Sequence, residues 1–206
     1  MKAFKKILPL FLVLLICNAG INKSKDSKNC KFKLVILKGG TLKVNGFTNV
    51  NKFSCIVSDD EQNDTLYCDL DSNKTLQVNG GFMLNVFDFN CDNPFMTSDL
   101  RKTLKANDYP LMKINFLSFS QFSDLQNKNK LIDGNVEIEL SGIKKQYKVN
   151  YQLCLDEQKR IQLVGRRTVN FSDFNLIPPK KMGGIIKTKD ALNVEFALTM
   201  QLINNK

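Results

Sequence analysis

The sequence predicts an all-β domain, an antiparallel barrel of about eight strands with one short helix near Ser98 to Ala106. Three observations carry that prediction. Apolar residues recur at every second position through most of the chain, as half-buried strands require. Turn-forming pairs such as Gly39-Gly40, Asn45-Gly46 and Ser141-Gly142 punctuate those runs. A helical period competes in one place only, around Thr97 to Ala106. Alternation alone does not separate a barrel from a sandwich. The length of the runs and their internal changes of phase favour the barrel, whose interior is either filled by side chains or holds one small ligand.

In chain order, Met1 to Ala19 reads as a signal peptide. Lys2, Lys5 and Lys6 form its basic start, Leu8 to Ile16 its apolar stretch, and Cys17 and Ala19 the small residues of a cleavage site. Residues 20–30 are then a tail and residues 31–206 one domain, a length that suits a single barrel. Bulky Ile16 ahead of Cys17 disfavours a lipoprotein signal, so the expected product is soluble, periplasmic or secreted.

Phe32, Leu34 and Ile36 open the first strand, Gly39-Gly40 reads as a turn, and Leu42 and Val44 lead to a second turn at Asn45-Gly46. Phe53, Cys55 and Val57 carry the next strand into the acidic stretch Ser58 to Asp64, read as a solvated hairpin end. That stretch lacks the glycine and distant glutamate of a calcium loop. Leu66, Cys68 and Leu70 follow. Leu76 to Val86 sustains a long alternation before Phe87, Phe89 and Cys91 change parity, which suggests a bulge, and Phe116-Leu117 repeats the doubling. Between them lies the helix, with N-cap candidates Thr97, Ser98 and Asp99 and an apolar face of Met96, Leu100 and Leu104. Asp108-Tyr109-Pro110 ends it, because a residue before proline is pushed out of the α region. Met112, Ile114 and Phe116 then start a strand. Val136 to Leu140 and Tyr147 to Leu155 form a hairpin across Ser141-Gly142. Ile161 to Phe171 and Leu192 to Leu202 complete the set. The helix either plugs the core or closes the mouth of an apolar cavity.

The formal charge of +10 becomes +7 once Lys2, Lys5 and Lys6 leave with the signal. The remaining lysines are spread singly at alternate positions, as solvated faces require, with no aromatic-interleaved basic block. Nucleic acid is therefore not an expected partner, and a transient membrane-surface contact is the one macromolecular contact the charge suggests. After export five cysteines remain (Cys30, Cys55, Cys68, Cys91 and Cys154), an odd number without a C-x-x-C pair. The chain has no histidine, which removes most zinc, copper and haem ligand sets, so no metal and no cofactor is expected. It also removes the usual Ser-His and Cys-His nucleophile pairs. The close acidic pairs Asp59-Asp60, Asp69/Asp71 and Glu137/Glu139 sit in turns or on solvent-facing strand sides. Glu137 and Glu139 share one strand face, and their matched environments do not split two pKa values as acid-base catalysis needs. An enzyme is not expected.

The run Thr41 to Cys55, containing Gly46-Phe47-Thr48-Asn49-Val50-Asn51 and Phe53-Ser54-Cys55, resembles the opening of YceI-like domains. Further segments follow in the family's order. These are Phe89-Asn90-Cys91 with Met96; Leu104-Lys105-Ala106 with Tyr109-Pro110; Gly134 to Gly142 with Lys144-Lys145; and Asp173-Phe174 with Pro178-Pro179, Gly184, Ile186, Lys187 and Asp190. The resemblance covers residues 32–204. It implies a lipocalin-like closed barrel, exported, holding a long-chain apolar small molecule such as an isoprenoid or related lipid. The chain departs from the family's pattern in having no histidine and in carrying Lys105-Ala106-Asn107-Asp108 where an aromatic-rich stretch often precedes Tyr-Pro. The resemblance also singles out Cys55 and Cys91 as a disulfide, since both end apolar strands within cysteine-bearing segments of the family. The ligand-lining residues it suggests, together with inward parity, are Phe53, Phe82, Leu84, Leu100, Leu104, Tyr109, Met112, Ile114, Phe171, Phe174 and Met182. The alternative is an inert structural or interaction barrel of the cell envelope whose core is packed solid, because apolar alternation looks the same in full and hollow barrels.

Overall fold

The computed structural model describes residues 30–59, 63–73, 75–120 and 130–203, so the expected signal peptide and most of the expected tail lie outside the described residues. The chain forms β1 (Cys30–Phe47), β2 (Lys52–Asp59), β3 (Asp64–Leu70), β4 (Leu76–Asn79) and β5 (Gly81–Asn85) before one helix, α1 (Pro94–Thr103). After it come β6 (Leu111–Phe119), β7 (Lys130–Leu140), β8 (Ile143–Leu155), β9 (Ile161–Asn170), the two-residue strands β10 (Lys180–Lys181) and β11 (Ile186–Lys187), and β12 (Ala191–Ile203).

Ten of these strands make one antiparallel sheet that closes on itself where β12 pairs with β1. β2 and β3 lie end to end along the same side of β1, and β4 and β5 end to end on the flank of β6. Around the barrel this gives eight staves; the ladder is continuous through β3 and β4, whereas among the strands β2 pairs only with β1 and β5 only with β6. Along the staves buried and exposed residues alternate, as in β6, where Met112, Ile114 and Phe116 face in.

Four local expectations are corrected. Gly39-Gly40 and Asn45-Gly46 are not turns: β1 runs through both. Between Leu37 and Thr41 its register against β12 slips, Gly39 takes φ +92°, and Gly40 lies under the Leu198 side chain. The glycines thus bend a long strand rather than reverse it, and the reversal falls at Thr48 to Asn51, where Thr48 N–H donates to the Asn51 carbonyl at 2.8 Å. Ser58 to Asp64 is not a hairpin end, since the strands either side of it continue along one flank of β1. The long alternation from Leu76 breaks at Gly80 (φ +133°), and the change of parity after Val86 is a 3-10 turn at Val86–Asp88 rather than a bulge. The helix starts earlier than its Ser98 expectation. Asn93 caps it by accepting from Met96 N–H at 3.1 Å, and Pro94 sits in the first turn, where its missing N–H costs nothing. The doubling at Phe116-Leu117 does coincide with a register shift against β7, and Ser141-Gly142 is the tight turn between β7 and β8.

The half of the barrel away from α1 is filled. Phe116 is the hub of its aromatic centre, with ring centroids at 6.1 Å from Phe82, 5.4 Å from Phe119, 6.5 Å from Tyr151 and 6.0 Å from Phe196. Room for these rings comes from Gly165, which pairs with both Tyr151 and Phe196 on the adjoining strands. A Cβ at Gly165 would come 2.3 Å from the Phe196 ring. Below this layer Leu34, Leu66, Leu76, Leu163 and Met200 are wholly buried and close that end.

Candidate functional site

The other end of the barrel is built by α1, the Thr48–Asn51 turn, the 3-10 turn Phe171–Phe174 and the loop leading through β10 and β11. Helix α1 is fastened across it at several points. Cys55 on β2 and Cys91 are disulfide-bonded, and Ile56 and Asn90 exchange two backbone hydrogen bonds of 2.8 Å beside that link. The Cys91 N–H donates to Thr97 Oγ1 at 3.0 Å, and the Arg101 guanidinium donates to the Phe89 carbonyl at 3.1 Å. The Ser141 hydroxyl donates to the Leu104 carbonyl at 2.7 Å, holding the helix end against the β7–β8 turn. On the opposite rim Asp99 is ion-paired with Lys181.

Two apolar hollows remain under this cap. The outer one, about 230 Å³, is walled by Phe53, Cys55, Phe95, Met96, Leu100, Phe171, Pro179 and Ile186. Its rim is polar, from Thr48, Asn51, Asn93, Asp99, Lys181 and Thr188. The inner one, about 60 Å³, is walled by apolar side chains alone: Leu42, Val44, Phe89, Leu100, Leu104, Met112, Ile114, Ile138, Leu140, Val169, Phe174, Leu192 and Val194. Leu100 is the residue common to both linings. A larger depression of about 980 Å³ lies on the outer side of α1, but it is shallow and lined by Asp88, Asp92, Arg101, Lys102, Lys105 and Asp108 among others. Apart from Phe89, Thr97 and Ala106 its lining is exposed or only partly buried, and it reads as solvated surface rather than as an enclosing site.

The sequence-derived residues divide between these places. Leu100, Leu104, Met112, Ile114 and Phe174 line the inner hollow, and Phe53, Leu100 and Phe171 the outer one. Phe82 and Leu84 are buried but line neither; Phe82 belongs to the aromatic centre. Tyr109 lies outside both hollows with its ring over Gly142, and Met182 is 70% exposed on the loop between β10 and β11. Sequence reasoning missed Leu42, Val44, Leu192 and Val194, whose inward parity was readable but whose position at the open end was not. It missed Phe89 because that residue follows the 3-10 turn, outside any strand period.

Chemically the hollows offer shape and dispersion contacts rather than reactive groups. Among the described residues no cluster of three or more His, Cys, Asp and Glu comes together to hold a metal. Asp173 accepts from the Tyr147 hydroxyl at 3.0 Å and from the Asn170 N–H at 2.9 Å, which fixes the Phe171–Phe174 turn that presents Phe171 and Phe174. Burial, and then the Asp173 carboxylate beside it, pushes the Tyr147 phenol well above its ordinary range, so it stays a neutral donor.

A closed antiparallel barrel with one solid end and one helix-capped apolar mouth is the architecture of a lipocalin-like barrel domain. Among solved structures it is the fold of the polyisoprenoid binding domain from Saccharophagus degradans, with TM-score 0.56 at 11% identity, covering 82% of this chain and 98% of that one. Burkholderia cenocepacia BcnA is similar as well, with TM-score 0.51 at 12% identity over 79% of this chain and 96% of that one. The Campylobacter jejuni YCEI protein aligns with TM-score 0.45 at 16% identity, over 65% of this chain and 73% of that one. No family model and no curated protein matches the sequence.

Proposed function

We propose that this protein is an exported, non-catalytic carrier that encloses the apolar chain of one small molecule, an isoprenoid or related lipid, beneath α1. The observation that carries the reading is the pair of apolar hollows that share Leu100 as a wall residue. Each is smaller than the roughly 300–1,000 Å³ of a pocket for a drug-sized ligand. Loading therefore includes a movement of Leu100 with α1, which joins the outer hollow to the inner one. Each buried methylene contributes about 0.8 kcal/mol, so a chain of modest length offsets the cost of that movement. The ligand-lining set is Phe53, Leu100, Leu104, Met112, Ile114, Phe171 and Phe174. The Saccharophagus degradans neighbour is a polyisoprenoid binding domain, which supports the ligand class. The Cys55–Cys91 disulfide supports an oxidising, extracytoplasmic location, and the N-terminal sequence supports cleavage after Ala19.

The test is organic extraction of the protein purified from its producing cells, with mass spectrometry of the extract, followed by thermal melts with farnesol, geranylgeraniol and palmitate. A ligand at 100 times its Kd adds about 2.7 kcal/mol of stability, a rise in Tm of roughly 5–10 °C for a domain of this size. An empty extract together with unchanged melting temperatures across the panel would leave the packed, inert barrel as the correct reading.

A further inference from the structure

Among the described residues, six large apolar side chains are more than 60% exposed, and five of them stand at the mouth: Val50 (63%), Phe95 (78%), Ile177 (80%), Met182 (70%) and Ile185 (68%). They are not scattered over that end. Asn49 stitches the turn bearing Val50 to the loop bearing Ile185, donating to the Ile185 carbonyl and accepting from the Lys187 N–H, both at 2.9 Å. Phe95 lines the outer hollow together with Pro179, Lys181 and Ile186. Met182, Gly183 and Gly184 take successive positive φ values of 51°, 64° and 95°. The tight tip they form carries Met182 and Ile185 outward, with nothing around either glycine. Holding a non-glycine residue at positive φ costs free energy, and here it serves to expose a methionine.

The loop side of the patch is basic, while Asp99, which lines the same hollow as Phe95, is paired with Lys181. Residues 177–190 contain four lysines, Lys180, Lys181, Lys187 and Lys189, against the single carboxylate Asp190, and Asp190 is engaged by Ser172. Lys52 and Lys189 flank the Phe47 ring at 5.7 Å and 6.0 Å. Lys180 and Lys187, paired across β10 and β11, have no carboxylate partner among the described residues. Protruding apolar side chains beside these lysines match an interface that is apolar inside and anionic at its surface.

We propose that the mouth of the barrel docks on an anionic phospholipid bilayer, with Phe95, Met182 and Ile185 entering the headgroup region and Lys180, Lys187 and Lys189 meeting its phosphates. Docked in this way the outer hollow faces the membrane. The docking surface stands apart from the carrier reading, because vesicle binding is measured without added ligand.

The experiment is sedimentation of the purified exported protein with phosphatidylcholine vesicles and with equimolar phosphatidylcholine–phosphatidylglycerol vesicles, at 50 and 500 mM NaCl. The expected result is binding to the anionic vesicles at low salt that falls at least tenfold at high salt. Replacing Lys180, Lys187 and Lys189 by Gln should weaken it by about fivefold per lysine. The triple change Phe95→Ser, Met182→Ser and Ile185→Ser should abolish it with an unchanged melting transition, whereas Leu131→Ser, exposed elsewhere on the barrel, should leave it intact. Three results overturn the proposal: no sedimentation with anionic vesicles, binding indifferent to the apolar triple, or a concentration-dependent dimer dissolved by that triple while vesicles are ignored. The last would mark the patch as a contact between copies of this chain.

Discussion

Tyr151 brings a hydroxyl into an aromatic centre that gives it no partner. The residue is fully buried, its ring packs at 5.1 Å from Phe119 and 5.7 Å from Phe196, and its oxygen has no hydrogen-bond partner among the described residues. Burial pushes its phenol far above the ordinary tyrosine range, so it stays a neutral hydroxyl near neutral pH. Leaving a buried donor unpaired costs about 1–3 kcal/mol, so Tyr151→Phe should raise stability by about 1 kcal/mol, read from urea unfolding. A loss of that size would show that the hydroxyl is bonded. The neighbouring glycine acts the other way: Gly165→Ala drives a methyl into the Phe196 ring and should cost about 1–3 kcal/mol by the same measurement. The free thiols differ in the same physical terms. Burial pushes Cys68 up to about 11, against a smaller lowering influence from the Leu34 backbone, whereas Cys154 is half-buried near the end of β8. Since the thiolate is the nucleophile, iodoacetamide at pH 8 should label Cys154 in the folded protein and Cys68 only after unfolding. Peptide mapping reads the order, and early labelling of Cys68 would contradict the packing around it.

Two of the restraints on helix α1 are separately removable. Asn93→Ala deletes the N-cap bond and should cost about 1 kcal/mol, seen as a small fall in Tm. Removing the Cys55–Cys91 link by paired Ser substitutions frees a loop of 36 residues and should cost about 3–4 kcal/mol in the chain-entropy model. Its larger effect should be on ligand exchange, because that link ties β2 to the segment leading into the helix. Why the helix was found in the sequence and its ends were not is instructive. Met96, Leu100 and Leu104 share one face in any register, so the period was readable. The start was hidden because several capping residues compete in Asn93 to Asp99. The end was hidden because Lys105, not a glycine, takes the left-handed conformation (φ 53°) after Leu104. Ala106 N–H then bonds back to Arg101 and Lys105 N–H to Lys102. The strands behave alike. Period two identified the inward residues of β6 and β12, but Gly39-Gly40 signals a bend and a reversal with the same residues, and only the pairing of β1 with β12 through that point decides between them.

At the scale of the whole molecule, the barrel is divided into a solid end and an open one, a division that alternation cannot express. Leu34 and Leu42 lie on one face of the same strand. The first is packed at the closed end and the second lines the inner hollow. What separates them is where the large side chains fall across neighbouring staves: Phe82, Phe116, Tyr151 and Phe196 meet in one layer, and above it Val44, Val169, Leu192 and Val194 leave space. The same division sets the route in, since the closed end is sealed by side chains and the open end only by α1 and its loops. Replacing Leu100 with Ala should merge the two hollows. It should lower stability by about 2–5 kcal/mol as a buried truncation and raise the affinity for longer chains relative to shorter ones.

The claim that an apolar chain occupies the space behind α1 is tested most directly by isothermal calorimetry of farnesol with the native protein and with Leu104→Trp, which fills the inner hollow. One-to-one binding to the native protein is expected, with a loss of at least tenfold in affinity for the variant and its melting transition retained. Absence of binding to the native protein, or equal affinity in a folded Leu104→Trp variant, would contradict it.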